Sequence, residues 1–229
     1  MMKPLKVSCF LNSPLGVEPF SLNANMLDSL LEYELAMRMN MAFRVQRSDT
    51  LTDYNRPIPL SKHQITKDLF IWTCSDPIID SKAYTFVEHY SKRLKIEDAC
   101  LLAENERKSV MIASGKFKSM RKPIVLKQID KIVWFCHGDR REIRKLLKKI
   151  TSIGKNRNMG YGQVKEWVVE EIEHDYSISV KHNNKRILMK TYPLEYVDKV
   201  ADIGYKAYYG GYKPPYWHPD RYREIATPC

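Results

Sequence analysis

The chain has 229 residues, of which 44% are hydrophobic and 28% charged. That balance excludes a disordered chain and leaves room for one good core and a second small lobe. Lys and Arg number 38 against 27 Asp and Glu, a formal net charge of +11 with a pI of about 9.3, so the expected partner is a polyanion or an anionic surface. No apolar run is long enough to span a bilayer, and residues 1–7 turn polar too early for a secretory signal. The expected setting is cytoplasmic, with no membrane.

Residues 6–11 alternate polar and apolar side chains and predict a strand, closed by the turn-forming Asn12-Ser-Pro-Leu-Gly16. Asn25 is the expected N-cap of a helix reaching about Met39, with Asp28 in its first turn and Leu27, Leu30, Leu31 and Leu35 on one face. Residues 44–68 are polar and broken by Arg56-Pro-Ile-Pro59, which predicts a loop. Residues 69–74 resume a strand that Asp76-Pro77 stops. Residues 82–100 read as weakly helical at best, and 107–128 as a hairpin-like alternation around Gly115. From 107 to 131 the cations Arg107, Lys108, Lys116, Lys118, Arg121, Lys122, Lys127 and Lys131 stand against Asp130 alone. Such a basic finger suits a nucleic acid backbone, although charge runs are more commonly solvated faces.

The block 129–172 carries the clearest pattern. Residues 131–136 predict a strand and His137-Gly138 a turn. Asp139 is placed to cap a helix, with Glu142 three residues on to close a capping box. Ile143, Leu146, Leu147 and Ile150 form a stripe for burial, while Arg140, Arg141, Arg144, Lys145, Lys148 and Lys149 populate the other face. Next comes Ile153-Gly-Lys-Asn-Arg-Asn-Met-Gly-Tyr-Gly-Gln-Val164, three glycines and two cations ahead of a strand over 164–172. Glycine reaches positive φ and lets a backbone come close to a ligand, and successive N–H groups turned into one concavity bind anions. The plainer alternative is a tight turn with solvated Lys155 and Arg157. Two β-α-β halves predict an α+β fold with a ferredoxin-like sheet and helices on one face.

The five cysteines are odd in number and include no Cys-x-x-Cys pair, so neither structural zinc nor a disulfide framework is expected. Cys9, Cys74 and Cys136 sit in apolar runs and read as core. The tail carries a small β-rich piece over 176–189. An irregular aromatic end follows, with Tyr205, Tyr208, Tyr209 and Tyr212, and its role is read as packing more than base stacking.

Three stretches carry a resemblance: the helix start Leu27-Asp-Ser-Leu-Leu31; Thr151-Ser-Ile-Gly-Lys155 with Met159-Gly-Tyr-Gly162; and Lys213-Pro-Pro-Tyr-Trp-His-Pro219. Together they resemble the repeat-associated mysterious proteins (RAMPs) of CRISPR systems, and within them the type IV effector subunit of the Cas five kind. The resemblance implies a ferredoxin-like (RRM-like) palm with an inserted basic thumb and a C-terminal aromatic extension: residues 1–80 with 129–175 as palm, 81–128 as thumb, and 176–229 packed on the core. It implies a non-catalytic RNA-binding subunit with no cofactor and no metal, holding the 5′ handle of the guide RNA (crRNA). Its partners would be other effector subunits, including a backbone-forming RAMP, and target DNA indirectly. Carried over, the RNA-binding loop is Gly154, Lys155, Asn156, Arg157, Asn158, Met159, Gly160, Tyr161 and Gly162. The basic surfaces add Lys116, Lys118, Arg121 and Lys122 from the thumb, and Arg140 and Arg144 from the helix. Phosphate contacts there fix position, and any sequence specificity would need splayed bases stacked on rings such as Tyr161 and hydrogen-bonded at their edges.

Three other readings stay open. A metal-independent endoribonuclease would use a histidine as general acid or base, with His63, His89, His137, His174, His182 and His218 available and none in the first helix. A nucleotide-hydrolysing loop fits worse, because a strand rather than a helix follows Gly154-Lys155. A free-standing RNA-binding module would share the fold and charge and differ in partners.

Overall fold

The computed structural model describes residues 1–18, 25–38, 57–79, 83–95, 97 and 113–229. In chain order its elements are β1 (Met2–Leu11), β2 (Leu15–Gly16), α1 (Leu27–Arg38), β3 (Lys62–Gln64), β4 (Phe70–Trp72), β5 (Ile78–Ile79), β6 (Tyr84–Lys92) and β7 (Met120–Gln128). There follow β8 (Lys131–Asp139), α2 (Arg140–Leu147), β9 (Val164–Glu171), β10 (Ser179–His182), β11 (Lys185–Leu188), β12 (Tyr192–Pro193), β13 (Tyr205–Gly211) and β14 (Tyr222–Pro228). This is a mixed α/β fold of mostly small antiparallel sheets with few helices.

Period-two alternation decides the first core. Leu5, Val7 and Cys9 are fully buried along one face of β1, because successive strand side chains point to opposite sides. β1 is central in a four-stranded antiparallel sheet of order β5-β8-β1-β9. Val7 stands opposite Trp134 on β8 and Val169 on β9, so three strands contribute to one buried row. Leu27 and Leu31 of α1 and Ile143, Leu146 and Leu147 of α2 join that same core. Cys9, Cys74 and Cys136 lie buried within it, and burial pushes the Cys9 thiol up to about 12.

The predicted cap of α2 forms: the Asp139 carboxylate accepts from the N–H groups of Arg141 and Glu142 at 3.0 and 3.1 Å. The box does not close, since the Asp139 N–H donates to the Pro59 carbonyl and Glu142 pairs with Lys145. His137 and Gly138 continue β8 rather than turning. Pro59 presses on Gly138, where a Cβ would lie 2.5 Å from the Pro59 oxygen. Asn25 is not the cap of α1. It sits two residues ahead in the left-handed region (φ 59), and its carbonyl accepts from Trp134 Nε1 at 3.1 Å.

Residues 84–92, expected to be weakly helical, form a strand. Tyr84, Thr85, Phe86 and Val87 are the aromatic and β-branched types that suit a pleated surface, and β6 pairs with β7 along its whole length. The hairpin expected within 107–128 is therefore wider: β7 takes its partner from 84–92, and Gly115 opens a 3₁₀ turn, Gly115–Phe117. Residues 107–112 lie outside the described residues, as do 44–56 of the expected loop. The rest of that loop includes β3, paired with β4. β2 adds to β7 on the side away from β6, giving a sheet β2-β7-β6.

The aromatic end is a regular sheet, β12-β14-β13, rather than an irregular wrap. Its second core gathers Leu188, Tyr192, Val197, Tyr212 and Ile225 with Leu69 and Ile71 from around β4. Beside it β10 and β11 form a hairpin, with Asn183 and Asn184 both at positive φ (48 and 61). That is the backbone a two-residue turn demands if it is to match the twist of the strands.

Candidate nucleic-acid interface

The glycine-rich loop follows α2 and packs on the chain segment just after β1. Gly154, Gly160 and Gly162 have φ of 81, 89 and 64, and Asn156 joins them at 55. Two of these glycines are required by contact. A Cβ on Gly162 would lie 1.9 Å from the Ile153 carbonyl oxygen, and one on Gly154 would lie 2.6 Å from the Leu15 side chain. The N–H of Lys155 donates to the Gly16 carbonyl, that of Gly162 to Pro14, and that of Ile153 to Gly162, at 2.8 to 2.9 Å. These three donors face the protein rather than an anion. What the loop offers outward is its side chains, with Lys155, Arg157, Asn158 and Met159 all exposed.

Those side chains are lightly held. Lys155 Nζ meets Glu18 at 2.5 Å with both side chains half exposed, an ion pair worth about 0–1 kcal/mol in water and readily exchanged for a phosphate. The Arg157 guanidinium lies over the Tyr33 ring at 5.5 Å. The Tyr161 hydroxyl donates to Glu88 on β6 at 2.6 Å, and that bond holds the phenol above its ordinary range. Tyr161 thereby ties the loop to the hairpin.

The hairpin is brought alongside by β2. Leu15 and Gly16 pair with Lys127 and Leu126 of β7 on one side and contact Gly154 and Lys155 on the other. Glu88 stands opposite Ile124. Lys122 lies two residues further out on β7, about 7 Å along the strand, with Arg121 next and Lys118 before the strand begins. All three are exposed. Lys116 is in the 3₁₀ turn ahead of them.

Arg140 and Arg144 are not brought to the loop. They line a depression with Lys3 and Glu171 at the opposite end of the sheet. Lys3 and Leu11 are eight residues apart on β1, roughly 26 Å. Arg140 is also engaged within the chain, donating to the Val169 carbonyl at 3.1 Å and pairing with Glu171 at 3.7 Å.

Residues 3–228, nearly the whole chain, match the family described as CRISPR type IV associated protein Csf3. The chain belongs to the Csf3 family. No curated protein matches it. Family membership makes it a type IV CRISPR-associated protein, and no helix among the described residues is long and apolar enough to cross a membrane.

Three histidines of this Csf3-family chain, His137, His63 and His218, are engaged with residues outside the loop. His137 Nδ1 is 2.6 Å from Ser61 Oγ. His63 Nε2 is 3.1 Å from the Tyr192 hydroxyl, and burial lowers its pKa. His218 is buried and its ring nitrogen accepts from the Asp220 N–H. Among the described residues no group of three or more His, Cys, Asp or Glu could hold a metal ion.

Sequence reasoning missed a buried charge network in this family member. Lys190, fully buried, donates to Asp28 at 3.1 Å and to the Tyr216 hydroxyl at 2.9 Å, with Asp76 at 3.7 Å. Tyr216 in turn donates to Asp28 at 2.8 Å. The network fastens α1 and the segment after β4 to the C-terminal Lys213–Pro219 stretch. Asp28, placed by the sequence in the first turn of α1, is the counter-ion of Lys190. The available signal was a lysine inside the apolar run Ile187-Leu-Met-Lys-Thr-Tyr192.

Proposed function

We propose that this Csf3-family chain is a non-catalytic RNA-binding subunit of a type IV CRISPR effector complex, acting in the cytoplasm and holding the 5′ handle of the guide RNA. The observation that carries the reading is the joining of loop and hairpin. Lys155 and Arg157 on one side of Leu15–Gly16, and Lys118, Arg121 and Lys122 on the other, form one cationic margin bridged by Tyr161 and Glu88. Cations along such a margin suit the phosphates of a strand and fix its position without reading its sequence. The sheet order β5-β8-β1-β9, with α1 and α2 on one face, supports the ferredoxin-like palm, and the β6–β7 hairpin supports the inserted basic thumb. The partners are a guide RNA and further effector subunits, a backbone-forming RAMP among them, with target DNA reached through the complex.

Lys155→Ala with Arg157→Ala is the test, using a labelled repeat-derived RNA titrated at several salt concentrations. Loss of two phosphate contacts should weaken binding and lower the slope of log K against log salt by about 1.4 for a single strand. Unchanged affinity and slope would remove the loop from the interface. The nuclease alternative is addressed by incubating the protein with the same RNA in EDTA; a discrete product abolished by His137→Ala or His218→Ala would replace this reading.

A further inference from the structure

The C-terminal lobe carries a second concentration of positive charge that the loop and hairpin do not use. Lys213 opens the stretch Lys213-Pro-Pro-Tyr-Trp-His-Pro219 and is buried at 4% exposure. Its ammonium lies 3.7 Å from the centre of the Phe70 ring and 5.6 Å from that of Tyr212. Lys62 on β3 places its ammonium 4.6 Å from the centre of the same Phe70 ring, so the two nitrogens are no further apart than the sum of two short distances. Arg223 on β14 lies over Tyr212 at 4.6 Å, and Arg221 reaches the Tyr212 hydroxyl at 3.5 Å.

Four cations thus converge on two aromatic rings. Arg223 pairs with the Glu195 carboxylate at 3.3 Å. No salt bridge among the described residues joins Lys62 or Lys213 to an acid. Cation–π contact offsets part of the cost, about 0.5–2 kcal/mol each, but it does not neutralise charge, and like charges in a partly desolvated place repel. Such an arrangement is stabilised by an anion. Lys62 is exposed and Arg223 a third exposed, whereas Lys213 beside them is buried.

We propose that Lys62, Lys213 and Arg223 form an oxyanion site for a phosphate group, separate from the glycine-rich loop. Ammonium and guanidinium donors close on phosphate oxygens at roughly 2.7–2.9 Å, and the Phe70 and Tyr212 rings hold the three donors in place beforehand. Two sources share this chemistry, the backbone of a single-stranded RNA and a free phosphate. The surroundings of Lys213 add a signature. Burial, then the charges of Arg221, Lys62 and Arg223, bring its pKa down to about 7, and a bound oxyanion favours the protonated form. Occupancy therefore rises as pH falls through neutrality, with a proton taken up. The charged groups facing Lys213 are Arg221, Lys62 and Arg223, and Glu195 is engaged with Arg223.

The test compares the parent chain with Lys62→Ala, Lys213→Met and the loop variant Lys155→Ala with Arg157→Ala. Two probes are used at pH 6 and pH 8: a short single-stranded RNA followed by fluorescence anisotropy, and sulfate against chloride at equal ionic strength followed by thermal unfolding. The expected result is weaker RNA binding in Lys62→Ala and Lys213→Met, with a salt slope lower by about 0.7. A preference for pH 6 should appear in the parent and vanish in Lys213→Met. The loop variant should keep whatever sulfate stabilisation the parent shows, which separates failure of this site from failure of the loop. Sulfate stabilisation lost in both single variants with RNA binding unchanged assigns the site to a free oxyanion. Parent-like RNA binding at both pH values, with sulfate no better than chloride, overturns the proposal. Because Lys62 is exposed, Lys62→Ala keeps the test decisive even if Lys213→Met folds poorly.

Discussion

Lys190 and Lys213 are both buried lysines of the C-terminal lobe, yet they sit in fields of opposite sign. Burial opposes the charge on Lys190, but Asp28, Cys74, Tyr216 and Asp76 more than offset it and hold its ammonium well above the ordinary range. Around Lys213 burial meets Arg221, Lys62 and Arg223, and the ammonium falls to about 7. Depth alone does not decide whether a buried lysine is charged. The sign of what lies within a few ångströms does. One lysine is a fastening between lobes, and the other stands among cations.

The largest expected effect comes from breaking the fastening. Lys190→Met leaves Asp28 and Asp76 buried without their counter-ion and should cost about 3–5 kcal/mol of unfolding free energy by denaturant titration. A cost below about 1 kcal/mol would mean that the network is not held in solution as described. Tyr216→Phe is milder, because Lys190 and Asp28 still meet at 3.1 Å. Loss of one hydrogen-bonding hydroxyl between charged groups should cost about 2 kcal/mol.

Lys213 should behave in the opposite way. Its folded pKa of about 7 lies below the ordinary 10.5, so between these values the unfolded chain binds the extra proton. Stability should therefore rise with pH across that window in the absence of added oxyanion. Below about pH 7 both states are protonated and the full penalty for the buried charge remains. Lys190, shifted upward, contributes no such slope below its ordinary value. Smallest of all is Lys213→Met near pH 9, expected within about 1 kcal/mol of the parent. At pH 6 the same variant should gain on the parent, and a melting series from pH 6 to 9 reads both outcomes. If the two proteins keep parallel profiles, Lys213 stays charged in the fold and the contrast between the lysines collapses.

What could be read in advance was local. The alternation of Leu5, Val7 and Cys9 lies within one strand, the stripe Ile143, Leu146, Leu147 and Ile150 within one helix and the turn after it, and Asp139 reaches donors two and three residues away. The misread element, β6, belongs to a ladder whose other rail begins at Met120, and no window of neighbouring residues contains that partner. The glycine-rich loop was legible as a loop with unusual backbone. Why Gly154 and Gly162 must be glycine was not, because the atoms that exclude a side chain include Leu15 and the Ile153 carbonyl oxygen, brought there by folding. The cap foreseen at Asn25 failed for a similar reason, with Trp134 drawing its carbonyl from more than a hundred residues away.

Sequence alone determined the excess of positive charge, the spacing that builds the first core, and the place where three glycines and two cations interrupt it, since these depend on residue type and near neighbours. Tertiary structure decided which loop N–H groups are already satisfied, that the hairpin lies beside the loop while Arg140 and Arg144 do not, and that one buried lysine meets acids while another meets cations. Coulomb interactions and steric exclusion act through distance in space, and Lys190 is 162 residues from the Asp28 that holds its charge.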